Sequence, residues 1–210
     1  MSSRLEAQDA QRLADCVAGG GVAVFPTDTV YGVCCDPEDQ QAARRMYELK
    51  GRPATRSSAV MFFALEPALQ ALGELPEAER TALQALLPGP VTVLLVNRER
   101  RYAAACRSDP QTLGLRVPRL SDDLTALSAI EQPIMQSSAN ISGEPDARSL
   151  SEVPQRLLDG VDLALDGGEL PGIASTVVDL RDFASEGRWH LLREGALPSE
   201  LLKEILAPAA

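Results

Sequence analysis

Histidine and lysine are almost missing from this chain: of 210 residues, His190 is the one histidine, and Lys50 and Lys203 are the two lysines. A single imidazole excludes metal sites built on several histidines. It also leaves a Ser-His-Asp triad with only His190, which sits in the strand-like run Arg-Trp-His-Leu-Leu and reads as structural; no G-x-S-x-G elbow is present. The four cysteines, Cys16, Cys34, Cys35 and Cys106, contain no C-x-x-C pair, and adjacent Cys34-Cys35 makes a poor zinc knuckle. They read as buried thiols in a reducing compartment. No uninterrupted apolar run reaches the ~18 residues of a membrane span, and the first residues lack the apolar core of a signal peptide. A cytoplasmic protein without membrane contact is expected. No Walker lysine motif occurs, and Gly19-Gly-Gly21 precedes a strand instead of following one, so it is not a Rossmann or P-loop cradle. A net charge of −10 lacks the basic field that gripping nucleic acid requires, which predicts weak or no direct RNA binding.

What is present is ordinary for a globular protein, 45% hydrophobic and 24% charged. The pattern predicts one domain over residues 1–206 and a short disordered tail at 207–210. Helical segments are expected at Leu5 to Ala18, Pro37 to Leu49 (capped by Asp36), Pro67 to Leu72, Glu77 to Leu87, Ser121 to Ile130, Leu150 to Leu158 and Pro198 to Leu206. Strands are expected at Val22 to Phe25, Ala59 to Phe63, Val91 to Val96, Leu113 to Pro118, Ile134 to Ser138, Val161 to Leu165, Ser175 to Leu180 and Arg188 to Leu192. Asn97 to Thr112 has no usable period and reads as a loop. Alternating helices and apolar strands predict an α/β protein with helices on a sheet.

The stretch Val22 to Pro53 organises the rest. A short apolar strand stops at Pro26, which cannot continue a central ladder, and Thr27, Asp28, Thr29 and Tyr31 follow at once. Polar groups gathered at a strand end face a ligand. Further on, Lys50, Arg52 and Arg56 fall within seven residues and suit an anion. Alternatively, Lys50 complements a helix C-terminus and Arg52 is a surface charge. Arg116 lies inside the apolar run Leu113 to Pro118, where a guanidinium needs either an anionic ligand or a structural salt bridge.

These residues carry a resemblance. Pro26-Thr-Asp-Thr-Val-Tyr-Gly32 and Lys50-Gly-Arg-Pro53 resemble the signature of the YrdC-like family, the threonylcarbamoyl-adenylate synthases. Trp-less Pro88-Gly-Pro-Val-Thr92, Gly114-Leu-Arg-Val-Pro118, Ser138-Ala-Asn-Ile-Ser-Gly143, Asp166-Gly-Gly168, Ser175-Thr-Val-Val178 and Leu192-Arg-Glu-Gly195 extend the match over nearly the whole chain. The resemblance implies a YrdC-like twisted mixed sheet flanked by helices, with a large concave ligand cavity. It implies ATP held by Lys50, Arg52, Ser138 and Asn140, with Thr112 and Arg193 as further contacts. Lys50 and Arg52 would be the catalytic pair; Arg56 would add a phosphate contact or be solvated. Thr29, Arg116 and Ser175 would hold L-threonine, the arginine pairing its carboxylate.

The implied reaction joins ATP, bicarbonate and L-threonine into threonylcarbamoyl-AMP and pyrophosphate, with Mg2+ riding on the ATP phosphates and no metal site of the protein's own. A separate transferase complex would carry the product to tRNA. Two departures stand out: Arg56-Ser-Ser58 and then Met61 replace the family's Asn-Pro-Leu and histidine, and Gly32-Val-Cys34 replaces Gly-Leu-Gly. The missing histidine would have stood near the threonine. A paralogue that binds nucleotide or RNA without this synthesis, and a relative working on carbamoyl phosphate, are the alternatives.

Overall fold

Strand pairing turns the expected segments into one mixed sheet. In the computed structural model, which describes residues 4–53 and 55–207, the strands are β1 (Ala23–Phe25), β2 (Gly32–Cys35), β3 (Ala59–Met61), β4 (Val91–Val96), β5 (Thr112–Arg116), β6 (Ile134–Ser138), β7 (Leu163–Ala164), β8 (Thr176–Asp179) and β9 (His190–Arg193). Their order is β7-β1-β2-β6-β3-β5-β4-β8-β9. The β1/β7, β3/β5 and β4/β8 pairs are parallel and the others antiparallel. The helices are α1 (Ala7–Ala18), α2 (Gln40–Lys50), α3 (Leu65–Leu72), α4 (Glu77–Leu86), α5 (Ala103–Cys106), α6 (Gln155–Gly160), α7 (Phe183–Glu186) and α8 (Ser199–Ile205). Residues 208–210 of the expected tail lie outside the described residues.

Local chemistry explains the elements. In α1, Ala10, Leu13 and Val17 are buried at spacings of three and four, and Glu6 and Asp9 close a capping box at its start. Helix α2 begins at Asp39, not Asp36: the Asp39 Oδ1 accepts from the N–H groups of Gln41 and Ala42 at 2.7 and 3.0 Å. Asp36 instead closes a turn over Pro37 by accepting from Glu38 N at 2.8 Å. Gly51 ends α2 in the left-handed region at φ 60°.

Three further expectations are corrected. Ser121 to Ile130 folds only as a 3-10 turn, Thr125–Ala129. Its apolar residues Leu124, Leu127 and Ile130 recur every three residues, and their N–H groups bond three residues back, a spacing that eclipses in a 3-10 helix. The segment from Leu150 to Leu158 is cut by Pro154, which has no N–H and bars its predecessor from the helical region. A 3-10 turn, Leu150–Glu152, precedes it and α6 follows. The opening motif also yields β2, which was not foreseen as a strand because it mixes glycine and cysteine. It hairpins back on β1, and a Cβ on Gly32 would stand 3.0 Å from the Phe25 ring.

Candidate active site

A cavity of about 370 Å³ opens over the middle of the sheet. Register puts it there. Gln136 of β6 pairs with Ala59 of β3, Ala59 with Gly114 of β5, and Gly114 with Leu94 of β4, so the four form one row across the cavity floor. Small side chains make the row concave: a Cβ on Gly114 would lie only 3.4 Å from Ala59 Cα and Leu94 Cδ2. Along β5, Thr112, Gly114 and Arg116 recur every second residue and line the cavity, while Leu113 and Leu115 point the other way into the core. Thr92, Val177 and Arg193 continue the floor toward β9, where a bulge sets Arg193 opposite Val177.

At one end stands Arg116, 3% exposed at the close of β5. Its Nη2 donates to Asp28 Oδ1 and, at 2.7 Å, to Thr29 Oγ1. Asp28 Oδ2 in turn accepts from Arg119 N at 3.0 Å. Burial pushes the Asp28 carboxyl up and the Arg116 guanidinium down from their ordinary values, each against the pull of its partner's charge. The Arg116 Nε is buried without a hydrogen-bond partner among the described residues. Desolvation therefore outweighs pairing, and a second carboxylate on this guanidinium would be stabilised.

The other end is cationic without an acid beside it. Arg52 donates to Ser57 O at 2.7 Å and weakly to Ser137 Oγ at 3.4 Å, and its Nε has no partner among the described residues. Burial lowers its pKa, and Arg56 and Arg193 push the same way, against the opposing Tyr47. Arg193 belongs to neither end alone, its charge lowering the pKa of both Arg52 and Arg116; it donates to Ser175 O at 2.7 Å, and the Ser175 hydroxyl lies 2.9 Å from Thr92 Oγ1. Gly195 permits this contact, since a Cβ there would fall 2.2 Å from Ala174 O.

The residues expected in the site separate into two groups. Arg52, Thr112, Arg116, Ser138, Ser175 and Arg193 line the cavity. Lys50, Asn140, Thr29 and Arg56 do not. Lys50 was expected to face solvent or ligand, yet it is 1% exposed. Its ammonium donates to Ser138 O, to Asn140 O at 2.8 Å and to Asn140 Oδ1 at 3.0 Å, which uses all three N–H groups. Burial, helped by Arg52, lowers its pKa to about 8. Lys50 thus clamps the Ser138–Asn140 loop from behind, and Asn140 is fixed further by donating to Glu144 O at 2.6 Å. Thr29 lies beneath Arg116, and Arg56 is exposed, its carbonyl held by the Tyr47 hydroxyl at 2.6 Å. Met61 is fully buried in the core and does not line the cavity.

Sequence reasoning missed the floor itself, Gln136, Ala59, Gly114, Leu94 and Thr92, and two acids in the wall, Asp109 and Asp146. The period-two pattern Thr-x-Gly-x-Arg from Thr112 to Arg116 was the available signal. The Asp166-Gly-Gly168 turn is structural: Tyr31 OH donates to Gly168 O at 2.8 Å and accepts from Gly167 N at 3.0 Å.

Three guanidiniums from different strand ends and a loop face hydroxyls over a concave floor with no thiol, imidazole or amine in its described lining, a cationic, hydroxyl-rich cavity in an α/β protein. The chain belongs to the Sua5/YciO/YrdC family, whose model, described as telomere recombination, matches residues 15–195. It is 31% identical over 204 residues to the threonylcarbamoyl-AMP synthase of Pyrococcus abyssi, a match covering 97% of this chain. It spans only 58% of that relative's length. A threonylcarbamoyl-AMP synthase from Hahella chejuensis is 31% identical over 83% of this chain and 94% of its own. The crystal structure of P. abyssi Sua5 complexed with L-threonine superposes with a TM-score of 0.84 at 32% identity, covering 97% of this chain and 59% of that one.

Proposed function

We propose that this chain makes threonylcarbamoyl-AMP, pyrophosphate and water from ATP, bicarbonate and L-threonine, in the cytoplasm, for transfer to tRNA by a separate transferase complex. The observation that carries this reading is the unequal pairing of the cavity's arginines. Arg116 has an acid beside it and is set rigidly by Asp28 and Thr29, which suits a single carboxylate such as that of threonine. Arg52 and Arg193 contact only neutral oxygens, which suits the several charges of a triphosphate. That the relatives are threonylcarbamoyl-AMP synthases, and that P. abyssi Sua5 is seen complexed with L-threonine, supports the reaction and its amino-acid substrate.

The chemistry needs no covalent nucleophile. The amine of threonine and bicarbonate condense to a carbamate with loss of water, a carbamate oxygen attacks the α-phosphorus, and pyrophosphate leaves. The protein's part is to hold the reactants in line and to neutralise charge as the pyrophosphate departs. Ser138 and Thr112 would contact the nucleotide; Lys50 and Asn140 would act through the loop they fix, and Arg56 through its field on Arg52. Among the described residues no cluster of three or more His, Cys, Asp or Glu side chains could hold a metal. Mg2+ would be carried in on ATP oxygens, where it would offset phosphate charge. No helix among the described residues is long and apolar enough to cross a membrane.

The test is pyrophosphate release from MgATP by the purified protein, with and without L-threonine and bicarbonate. Release that requires both co-substrates is expected. ATP binding without threonine-dependent release would instead mark a diverged paralogue, and failure to bind ATP would remove the nucleotide site altogether.

A further inference from the structure

Every described residue other than glycine that has a positive φ falls in one segment: Arg100, Tyr102 and Arg107, at 49°, 59° and 53°. The third is the most unusual. Asp109 N donates to Cys106 O at 3.1 Å, closing a turn whose first central residue is Arg107. Its φ of 53° and ψ of −116° are the values of that position in a type II′ turn, which glycine adopts freely and a residue with a Cβ does not. The guanidinium is no better placed, since its Nε and Nη2 are buried without a hydrogen-bond partner among the described residues. What it does touch is the ring of Tyr47, at 4.4 Å from the centroid. One cation–π contact is weaker than the combined cost of a strained backbone and two unpaired charged donors.

The ring leads to the cationic end of the cavity. Arg52 also lies over it, at 5.9 Å, while the Tyr47 hydroxyl donates to Arg56 O at 2.6 Å and stands 2.9 Å from Ser58 Oγ. Between those two anchors is Ser57, whose carbonyl accepts from Arg52 at 2.7 Å. The turn grips the same loop from its own side: Cys106 O accepts from Ser57 Oγ at 2.7 Å, and Ser108 Oγ donates to Thr55 O at 2.6 Å. Arg107 thus joins the two holds on the Arg52 loop, the ring and the turn, and does not itself line the cavity.

We propose that Arg107 is a positioning residue for the polyanion end of the site. Stacked on Tyr47, its guanidinium fixes the ring and the Thr55 to Ser58 loop, so that Arg52 is already oriented when a triphosphate arrives. The inference rests on the proposed function in taking MgATP as the ligand of Arg52. It goes further in tracing that orientation to a residue outside every motif that carries the family resemblance, held in place against the preference of its own turn.

Calorimetric titration with MgATP and with L-threonine, beside urea denaturation, tests it in wild type, Arg107→Gly and Arg107→Lys. Glycine relieves the turn and removes the unpaired donors, so the unfolding midpoint of Arg107→Gly should hold or rise. Its MgATP affinity should nevertheless fall by about tenfold, with threonine affinity within about twofold of wild type. Arg107→Lys keeps a cation for the ring and should recover part of the MgATP loss. Unchanged MgATP affinity in Arg107→Gly overturns the assignment. So does a lowered midpoint with equal losses for both ligands, which would make Arg107 an ordinary structural contact. Wild-type protein that binds MgATP but shows no threonine-dependent pyrophosphate release overturns the proposed function and leaves this inference standing. Wild-type protein that binds no MgATP overturns both.

Discussion

The two ends of the cavity use the same functional group in opposite states. Arg116 is buried, oriented by an acid and a hydroxyl, and sits at the end of a central strand. Arg52 stands in a loop after a helix, half-buried, holding neutral oxygens and repelled by Arg56 and Arg193. The comparison teaches how a small site can distinguish its anions. Where orientation is fixed in advance, one carboxylate fits in one geometry. Where cations crowd without an acid, a polyanion is drawn in and relieves their repulsion.

The most damaging way to break this contrast is at the paired end. Arg116→Ala leaves Asp28 buried without its counter-charge and should cost about 3–5 kcal/mol of stability, read from urea denaturation. The double variant Asp28→Asn, Arg116→Leu should recover most of that loss while remaining without threonine-dependent pyrophosphate release. Arg52→Ala tests the other end. Turnover should fall by about 10²–10³, the scale for losing one electrostatic stabiliser of a developing charge, while the unfolding free energy moves by less than about 1 kcal/mol. Collapse of its thermal transition would mark Arg52 as structural instead.

Lys50 sharpens the comparison through pH. Its ammonium is held down at about 8 against an ordinary 10.5. Below pH 8 it is charged in both folded and unfolded chains, and its burial counts fully against the fold. As the pH rises from about 8 toward 10.5 the folded protein loses this proton first, so stability should rise in that window relative to a Lys50→Met variant. Activity should fall over the same window, because a neutral amine has two N–H groups for three acceptors and the Ser138–Asn140 loop loosens. Parallel pH profiles of denaturation and of pyrophosphate release would show the two moving in opposite directions. The smallest effect is expected at the floor both ends share: Gly114→Ala adds a methyl at 3.4 Å from its neighbours and should weaken MgATP binding by a few fold, about 1 kcal/mol, with the fold retained.

Much of this was legible in order along the chain. Val91–Val96 and Ile134–Ser138 are strands to the residue, because β-branched and apolar runs bounded by proline leave little choice. Helices α1 and α4 follow their apolar spacing. The errors lie where a local competitor prevailed: Asp39 over Asp36 as cap, Pro154 inside an expected helix, and a three-residue apolar spacing at Leu124, Leu127 and Ile130. The site was legible as a set of cations and hydroxyls, and Arg52, Arg116, Ser175 and Arg193 do meet at the cavity.

What the sequence determined by itself is the chemistry on offer: arginines and hydroxyls at element ends, no nucleophile with a base beside it, and a chain able to fold as α/β. What only the tertiary structure decided is which of those groups look inward. Lys50 and Arg52 are two residues apart, but the left-handed turn at Gly51 separates them, so the ammonium enters the wall and the guanidinium reaches the cavity. The floor is likewise invisible along the chain, because Gln136, Ala59, Gly114 and Leu94 become neighbours only when four strands distant in sequence pair in one register. Side-chain direction alternates with every residue of a strand, so a register set by long-range hydrogen bonds determines which of them a ligand meets.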